Sequence, residues 1–232
     1  MPLTIVRQES ANRLQEVQTF LSAIKLLEKT RTRNEIEINV RKGLFLLLLY
    51  GAFEYSLTRT ITEATLLINA CRVEFGHVNE TLYALALDPQ LNSCAAVGRD
   101  LKWQRRAELF QKQASADPVV LSDGAFLSQM ENVWAATIQK MFSTFGIPLP
   151  ALYSPRVRQY IDEVVDKRNA VAHGRESAAT LGQAYTTGRL QNLLDELSTQ
   201  TQYIFSTFEH HISTKAFIKA SHQKLYYSEV GK

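Results

Sequence analysis

Three polar side chains near the end of one apolar, helix-forming segment carry groups suited to proton transfer and anion binding. In VVDKRNAVAHGRES, from Val164 to Ser177, Arg168 and Asn169 are adjacent and His173 follows one helical turn after the Asn. A guanidinium offers a planar fork of donors that matches phosphate oxygens, and it stays charged. An imidazole takes and gives a proton near neutrality. On a helical period, Ile161, Val164, Val165, Arg168, Val171 and Ala172 form one stripe, so Arg168 points toward the core side. Arg158, Asp162, Asp166, Asn169 and His173 form a polar row beside it. Gly174 suits the position that closes a helix and places His173 at its carbonyl-rich end. The Arg-to-His spacing is weak by itself: Arg72 and His77 repeat it. There, no Asn follows the Arg, and Gly76 is expected to end the helix before the His.

A guanidinium on a core-facing stripe needs a partner or water. Glu54 lies on the row Leu47, Tyr50, Gly51, Glu54, Leu57 and Ile61 of the most apolar segment and meets the same cost. The two are expected to pair; the alternative is that one or both reach the surface.

The elements that must hold these groups read as helices. Leu14, Val17, Leu21, Ile24 and Leu27 recur at helical spacing. Asn34 to about Glu74 has no Pro and predicts one long helix, or two with a kink near Gly51; Gly76 is a natural stop. A short helix is expected over 79–87, ended by Asp88-Pro89, and another over 100–114 with Asp100 as N-cap. PVVLSDGAFLS, 118–128, predicts a small β-hairpin around Asp123-Gly124, with a cap at Ser122 or Asp123 as the alternative. Helices follow over 129–145, over 156–173 after the break GIPLPALYSP, and from Gly188 to about Phe217. A loop of about a dozen residues separates the last two. The fold class is therefore all-α. The expected organisation is a single helical domain over 1–220, with 84–146 as an insertion or elaboration and 221–232 as a flexible tail.

The bulk composition narrows the function classes. Of 232 residues, 45% are hydrophobic, enough for a sizeable core. With 26 basic and 23 acidic residues the net charge is +3, which permits a nucleic-acid partner without demanding one. Cys71 and Cys94 form neither a disulfide framework nor a metal pair. GLFLLLLYGAF, 43–53, is too short to span a bilayer. MPLTIVRQES lacks the design of a signal peptide. A cytoplasmic protein with no membrane association is expected. No phosphate-cradling glycine loop appears. RDLKWQRRAELF, 99–110, sets Trp103 among basic residues and could stack RNA; the plainer reading is a solvated helix face with one anchoring aromatic. His210-His211 are adjacent and point apart. Asp162, Glu163 and Asp166 lack a His or Cys nearby, so surface ion pairing is expected and no metal. Ser177 and Thr186-Thr187 read as loop and cap residues.

DKRNAVAHG, 166–174, resembles the R-N-x-x-x-H signature of the HEPN superfamily of helical RNA-processing and nucleotide-binding domains. LLYGAFEYSLT, 48–58, is similar to an earlier helix of that family, in which an aromatic residue precedes Glu. The pattern resembles most a prokaryotic nuclease-like group found among toxin and defence genes. The resemblance implies a HEPN-like bundle of long antiparallel helices and a metal-independent endoribonuclease that needs no cofactor. It further implies catalytic roles for Arg168, Asn169, His173 and Glu54, a homodimer bringing two motif helices together, and an antitoxin or defence-system protein as partner. Arg168 and His173 lie about 140° apart around one helix, so a second copy would help them converge. Lys167, Arg175, Arg156 and Arg158 are expected as an RNA-binding rim. One branch carries a modified Tyr two residues after the His; Arg175 stands there in this chain. The alternative is a non-catalytic helical interaction or RNA-binding module.

Overall fold

The computed structural model describes residues 2–30, 34–96, 98–113, 115–128 and 130–227. Helices α1 (Thr4–Glu28) and α2 (Glu35–Ala70) form the first long pair. Asn34 caps α2 by accepting from the backbone N–H groups of Ile36 and Glu37. The expected kink near Gly51 is absent: α2 runs unbroken through it, because an exposed Gly weakens a helix without removing a hydrogen bond. The apolar run buries Phe45, Leu46, Leu49, Tyr50, Ala52 and Phe53. The helix ends at Ala70 rather than Gly76, and Arg72 takes a left-handed φ of 48° just beyond.

The later long helices close over this pair. They are α8 (Val157–Ala172), the motif helix, and α10 (Thr187–Ser213). Cross-links between α1 and its neighbours give the directions. Glu9 accepts from the Tyr55 hydroxyl, while Glu28 pairs with Lys42, so α1 and α2 are antiparallel. Arg7 pairs with Glu209 and Gln18 bonds Gln191, so α1 and α10 are antiparallel too. Val17, Leu21, Ile24, Leu193, Leu197, Ile204 and Phe208 fill the space between these helices.

The region between α2 and α8 departs most from the sequence reading. A 3-10 turn at Glu80–Leu82 leads into α3 (Tyr83–Ala86), α4 (Asp88–Ala96) and α5 (Arg99–Gln113). Asp88-Pro89 opens α4 instead of merely ending its predecessor, since a first-turn Pro gives up an N–H that has no intrahelical partner. The hairpin expected over 118–128 does not form. Val119 donates to the Val73 carbonyl at 2.7 Å, and Asn69 uses its amide to bond both the N–H and C=O of Leu121. Side-chain and loop partners at the end of α2 thus satisfy this backbone, and α6 (Asp123–Leu127) follows. Helix α7 covers only Ala135–Thr144 of the expected 129–145. The Val133 N–H goes to the Tyr50 hydroxyl and the Ala135 N–H to Asp162, so tertiary acceptors take donors an earlier helical start would direct elsewhere.

The loop expected after the motif helix contains α9 (Ala178–Gln183), capped by Ser177. Helix α9 lies backbone-to-backbone on α2. A Cβ on Gly43 would sit 2.1 Å from the Ala178 carbonyl oxygen, and one on Gly182 would sit 1.8 Å from that of Asn39. Only glycine allows this approach. The last helix, α11 (Gln223–Tyr227), falls where a loose tail is expected; the Tyr226 hydroxyl bonds His77 and the backbone N–H of Glu74. Among the described residues, no helix is long and apolar enough to cross a membrane.

Candidate active site

The motif helix delivers its polar groups through a short C-terminal lock. The His173 N–H bonds the Asn169 carbonyl, and Gly174 takes a φ of 68°. The chain then doubles back so that Arg175 and Glu176 both donate to the Ala170 carbonyl. This fold-back buries Ala170, whereas Ala172, expected on the apolar stripe, is exposed. Asn169, expected on a polar row, is 9% exposed. Ile161, Val164 and Val165 take the predicted core positions.

Arg168 meets Glu54 across the α2–α8 interface, with Nη2 3.5 Å from Oε1. Its guanidinium also lies 3.7 Å from the centroid of the Tyr50 ring, and Nη1 donates to Asn169 Oδ1 at 2.9 Å. Tyr50 closes the group: its hydroxyl donates to Glu54 Oε1 at 2.7 Å and accepts from the Val133 N–H. Burial, then the hydrogen bond to Glu54, pushes the Tyr50 phenol up to about 12, so it remains a donor at ordinary pH. Sequence reasoning placed Tyr50 on the correct row without giving it a role. Its signal was the Tyr50–Glu54 spacing of one turn, which lets a phenol support a carboxylate on the same helix.

A guanidinium has five N–H donors. Asn169 and Glu54 engage the two Nη atoms, and the ion pair is long for a hydrogen bond, leaving capacity for another acceptor. The Arg168 side chain keeps 21% of its surface exposed. His173 is exposed at the helix end, and its imidazole has no hydrogen-bond or ion-pair partner among the described residues. The motif helix therefore carries a braced, partly open cation and, at its end, an exposed imidazole.

The expected basic rim is split. Arg175 is exposed beside His173, and Lys167 lies nearly two turns before His173, 3.4 Å from Asp166. Arg156 and Arg158 are exposed at the opposite end of α8. Fifteen residues at 1.5 Å rise put Arg158 about 22 Å from His173. The two pairs cannot border one small site.

The other sequence candidates resolve into structural roles. Glu163 binds Arg189 and accepts from the Tyr185 hydroxyl, Asp162 accepts from the start of α7, and Asp166 pairs with Lys167. Thr186 caps α10. His211 is buried and His210 exposed. Burial pulls the His211 imidazole down to about 4, and its Nε2 has no hydrogen-bond partner among the described residues. Trp103, read from sequence as an anchor, is 75% exposed.

Comparison with curated proteins and with solved structures gives no match. The family model described as RiboL-PSP-HEPN matches residues 8–222 and so spans both the Glu54 helix and the Arg168–His173 motif. With that coverage and this all-helical architecture, the chain belongs to the RiboL-PSP-HEPN family and has a HEPN-type fold.

Proposed function

We propose that this protein is a metal-independent endoribonuclease that cuts single-stranded RNA, acting as a toxin or defence effector. The observation that carries the reading is that one helix holds both a braced, partly open Arg168 and, at its end, an exposed His173 with no partner among the described residues. RNA supplies its own nucleophile. As the 2′-hydroxyl oxygen bonds to phosphorus, its proton passes to a general base, and the bond to the 5′-oxygen breaks as that oxygen receives a proton. His173 serves in this proton transfer. Arg168 stabilises the crowded phosphate through its fork of donors. Asn169 and Glu54 orient Arg168, with Tyr50 beneath it. The products are a 2′,3′-cyclic phosphate and a 5′-hydroxyl. Lys167 and Arg175 draw the RNA to this end of α8. Because Arg168 and His173 diverge around the helix, the complete site is formed by a homodimer, with the imidazole of one copy facing the guanidinium of the other. A toxin of this kind works against an antitoxin or another protein of its defence system.

The test is cleavage of single-stranded RNA in EDTA by wild type and His173→Ala, with folding checked by circular dichroism. Wild type is expected to yield cyclic-phosphate ends and the variant to lose about 100-fold or more of the rate. Equal cleavage by both proteins would remove His173 from the mechanism. A second reading, a non-catalytic helical interaction or RNA-binding module, draws on the same cluster: Arg168 already ties α8 to α2 through Glu54 and Tyr50. It is favoured if wild type cuts no RNA under varied conditions while Arg168→Ala unfolds the protein.

A further inference from the structure

Helices α4 and α5 form a hairpin whose exposed face is unlike the rest of the surface. No residue of α4 or α5 is buried among those described. Yet Leu91, Trp103 and Phe110 are large apolar side chains exposed by 47%, 75% and 67%. Trp103, Ala107 and Phe110 recur at helical spacing on α5. With Leu91 and Cys94 of α4 they line a groove of about 560 Å³. The Arg106 guanidinium stands at its edge, 5.0 Å from the Trp103 ring centroid. Lys102 lies one turn before Arg106. Neither has an ion-pair partner among the described residues, whereas Arg105, on another side of the helix, is paired with Glu108. Exposed apolar patches of this kind mark binding surfaces.

The chemistry of the groove selects its occupant. Uncompensated cations at the rim disfavour a second copy of the same hairpin and favour a polyanion. A flat, open indole beside a guanidinium is suited to the π-face of a nucleobase, which any base offers. We propose that the α4–α5 hairpin is a second single-stranded RNA-binding site, where a base stacks on Trp103 within the groove and Lys102 and Arg106 hold the adjoining phosphates. The choice of RNA rests on the ribonuclease reading; the stacking site rests on the hairpin itself. The Gln113 carbonyl at the end of α5 lies beside Gly76. Along α2, Glu54 is sixteen residues, about 24 Å, before Ala70. The hairpin is therefore rooted beyond the end of α2, away from Glu54, and longer RNAs are expected to gain most from it.

The probe is a 15-nucleotide, fluorescein-labelled 2′-O-methyl oligouridylate, which lacks the nucleophile and is not cut by 2′-oxygen attack. Binding to the full chain is followed by anisotropy over a range of salt. Trp103→Ala is expected to weaken binding about tenfold. Lys102→Gln with Arg106→Gln is expected to weaken it and to lower the slope of log affinity against log salt by about 1.4. The oligonucleotide should quench tryptophan emission in wild type more than in Trp103→Ala, where Trp134 alone remains. These residues are exposed, so the variants are expected to fold, which thermal melts check. Unchanged affinity and unchanged quenching in the variants would overturn the proposal. So would quenching by an acidic amphipathic peptide with none by the oligonucleotide, which would assign the groove to a protein partner. If Trp103-dependent binding holds but no RNA is cut, the ribonuclease reading falls and the hairpin site stands; if RNA is cut and Trp103→Ala binds as wild type, the reverse is true.

Discussion

The motif helix carries two clusters built from the same residue types, Arg168–Glu54–Tyr50 and Arg189–Glu163–Tyr185. In each, a carboxylate accepts from a Tyr hydroxyl and pairs with a guanidinium that lies over an aromatic ring. In the second cluster both oxygens of Glu163 are used, Oε1 by Tyr185 and Oε2 by Arg189, while Arg189 rests on Tyr160. Burial, with the Glu163 bond next, pushes the Tyr185 phenol upward. In the first, Glu54 uses one oxygen for both Tyr50 and the long contact to Arg168, and Arg168 turns a further donor to Asn169. The closed cluster has the character of a brace between α8 and α10. In the first the ion pair is longer and shares its helix with His173, although Arg168 is the less exposed guanidinium, 21% against 36% for Arg189. Shared residue types thus do not imply shared roles; what differs is how each carboxylate is engaged, both oxygens of Glu163 being used against one of Glu54.

The strongest way to break this contrast is to remove the donor fork while keeping the charge. Arg168→Lys should lower RNA cleavage about 100- to 1000-fold, because Lys cannot reproduce planar two-donor contact. Arg189→Lys should leave the rate per folded molecule within a few-fold in the same assay. Equal losses would make both clusters structural.

Acid offers the next test, because it acts on a third group away from both clusters. Burial lowers the His211 imidazole from 6.5 to about 4 in the folded chain. Unfolding releases it to bind a proton between these values, so stability is full above pH 6.5 and falls as pH drops toward 4. The loss by the lower end is about 3 kcal/mol. Urea unfolding across this range should show it, and His211→Leu should flatten the profile. A profile unchanged in the variant would trace acid sensitivity to other groups.

Smaller effects separate brace from site. Glu163→Gln should cost about 1–2 kcal/mol in urea unfolding, with cleavage per folded molecule retained. Smallest of all, Tyr50→Phe and Tyr185→Phe should each cost about 1 kcal/mol by losing one hydrogen bond. Only Tyr50→Phe should also slow cleavage, by a few-fold, since it frees Glu54 to move beneath Arg168. A Tyr185→Phe variant equally slow would extend the site along α8.

What the linear order of residues determined is the local part of this molecule. Helical periodicity marked the long helices, a polar trio at the end of an apolar helix marked the candidate site, and two lone charges on two apolar rows suggested the Arg168–Glu54 contact. These follow from spacing alone, because side-chain direction repeats with the backbone period. Tertiary structure decided the rest. It satisfied the 118–122 backbone through Asn69 and Val73 rather than a hairpin, shortened α7 by giving its early donors to Tyr50 and Asp162, and set α9 against Gly43. It placed Tyr50 beneath Arg168. Each outcome depends on which distant acceptor reaches a donor first or how closely two backbones pass, and no periodicity within one segment encodes either.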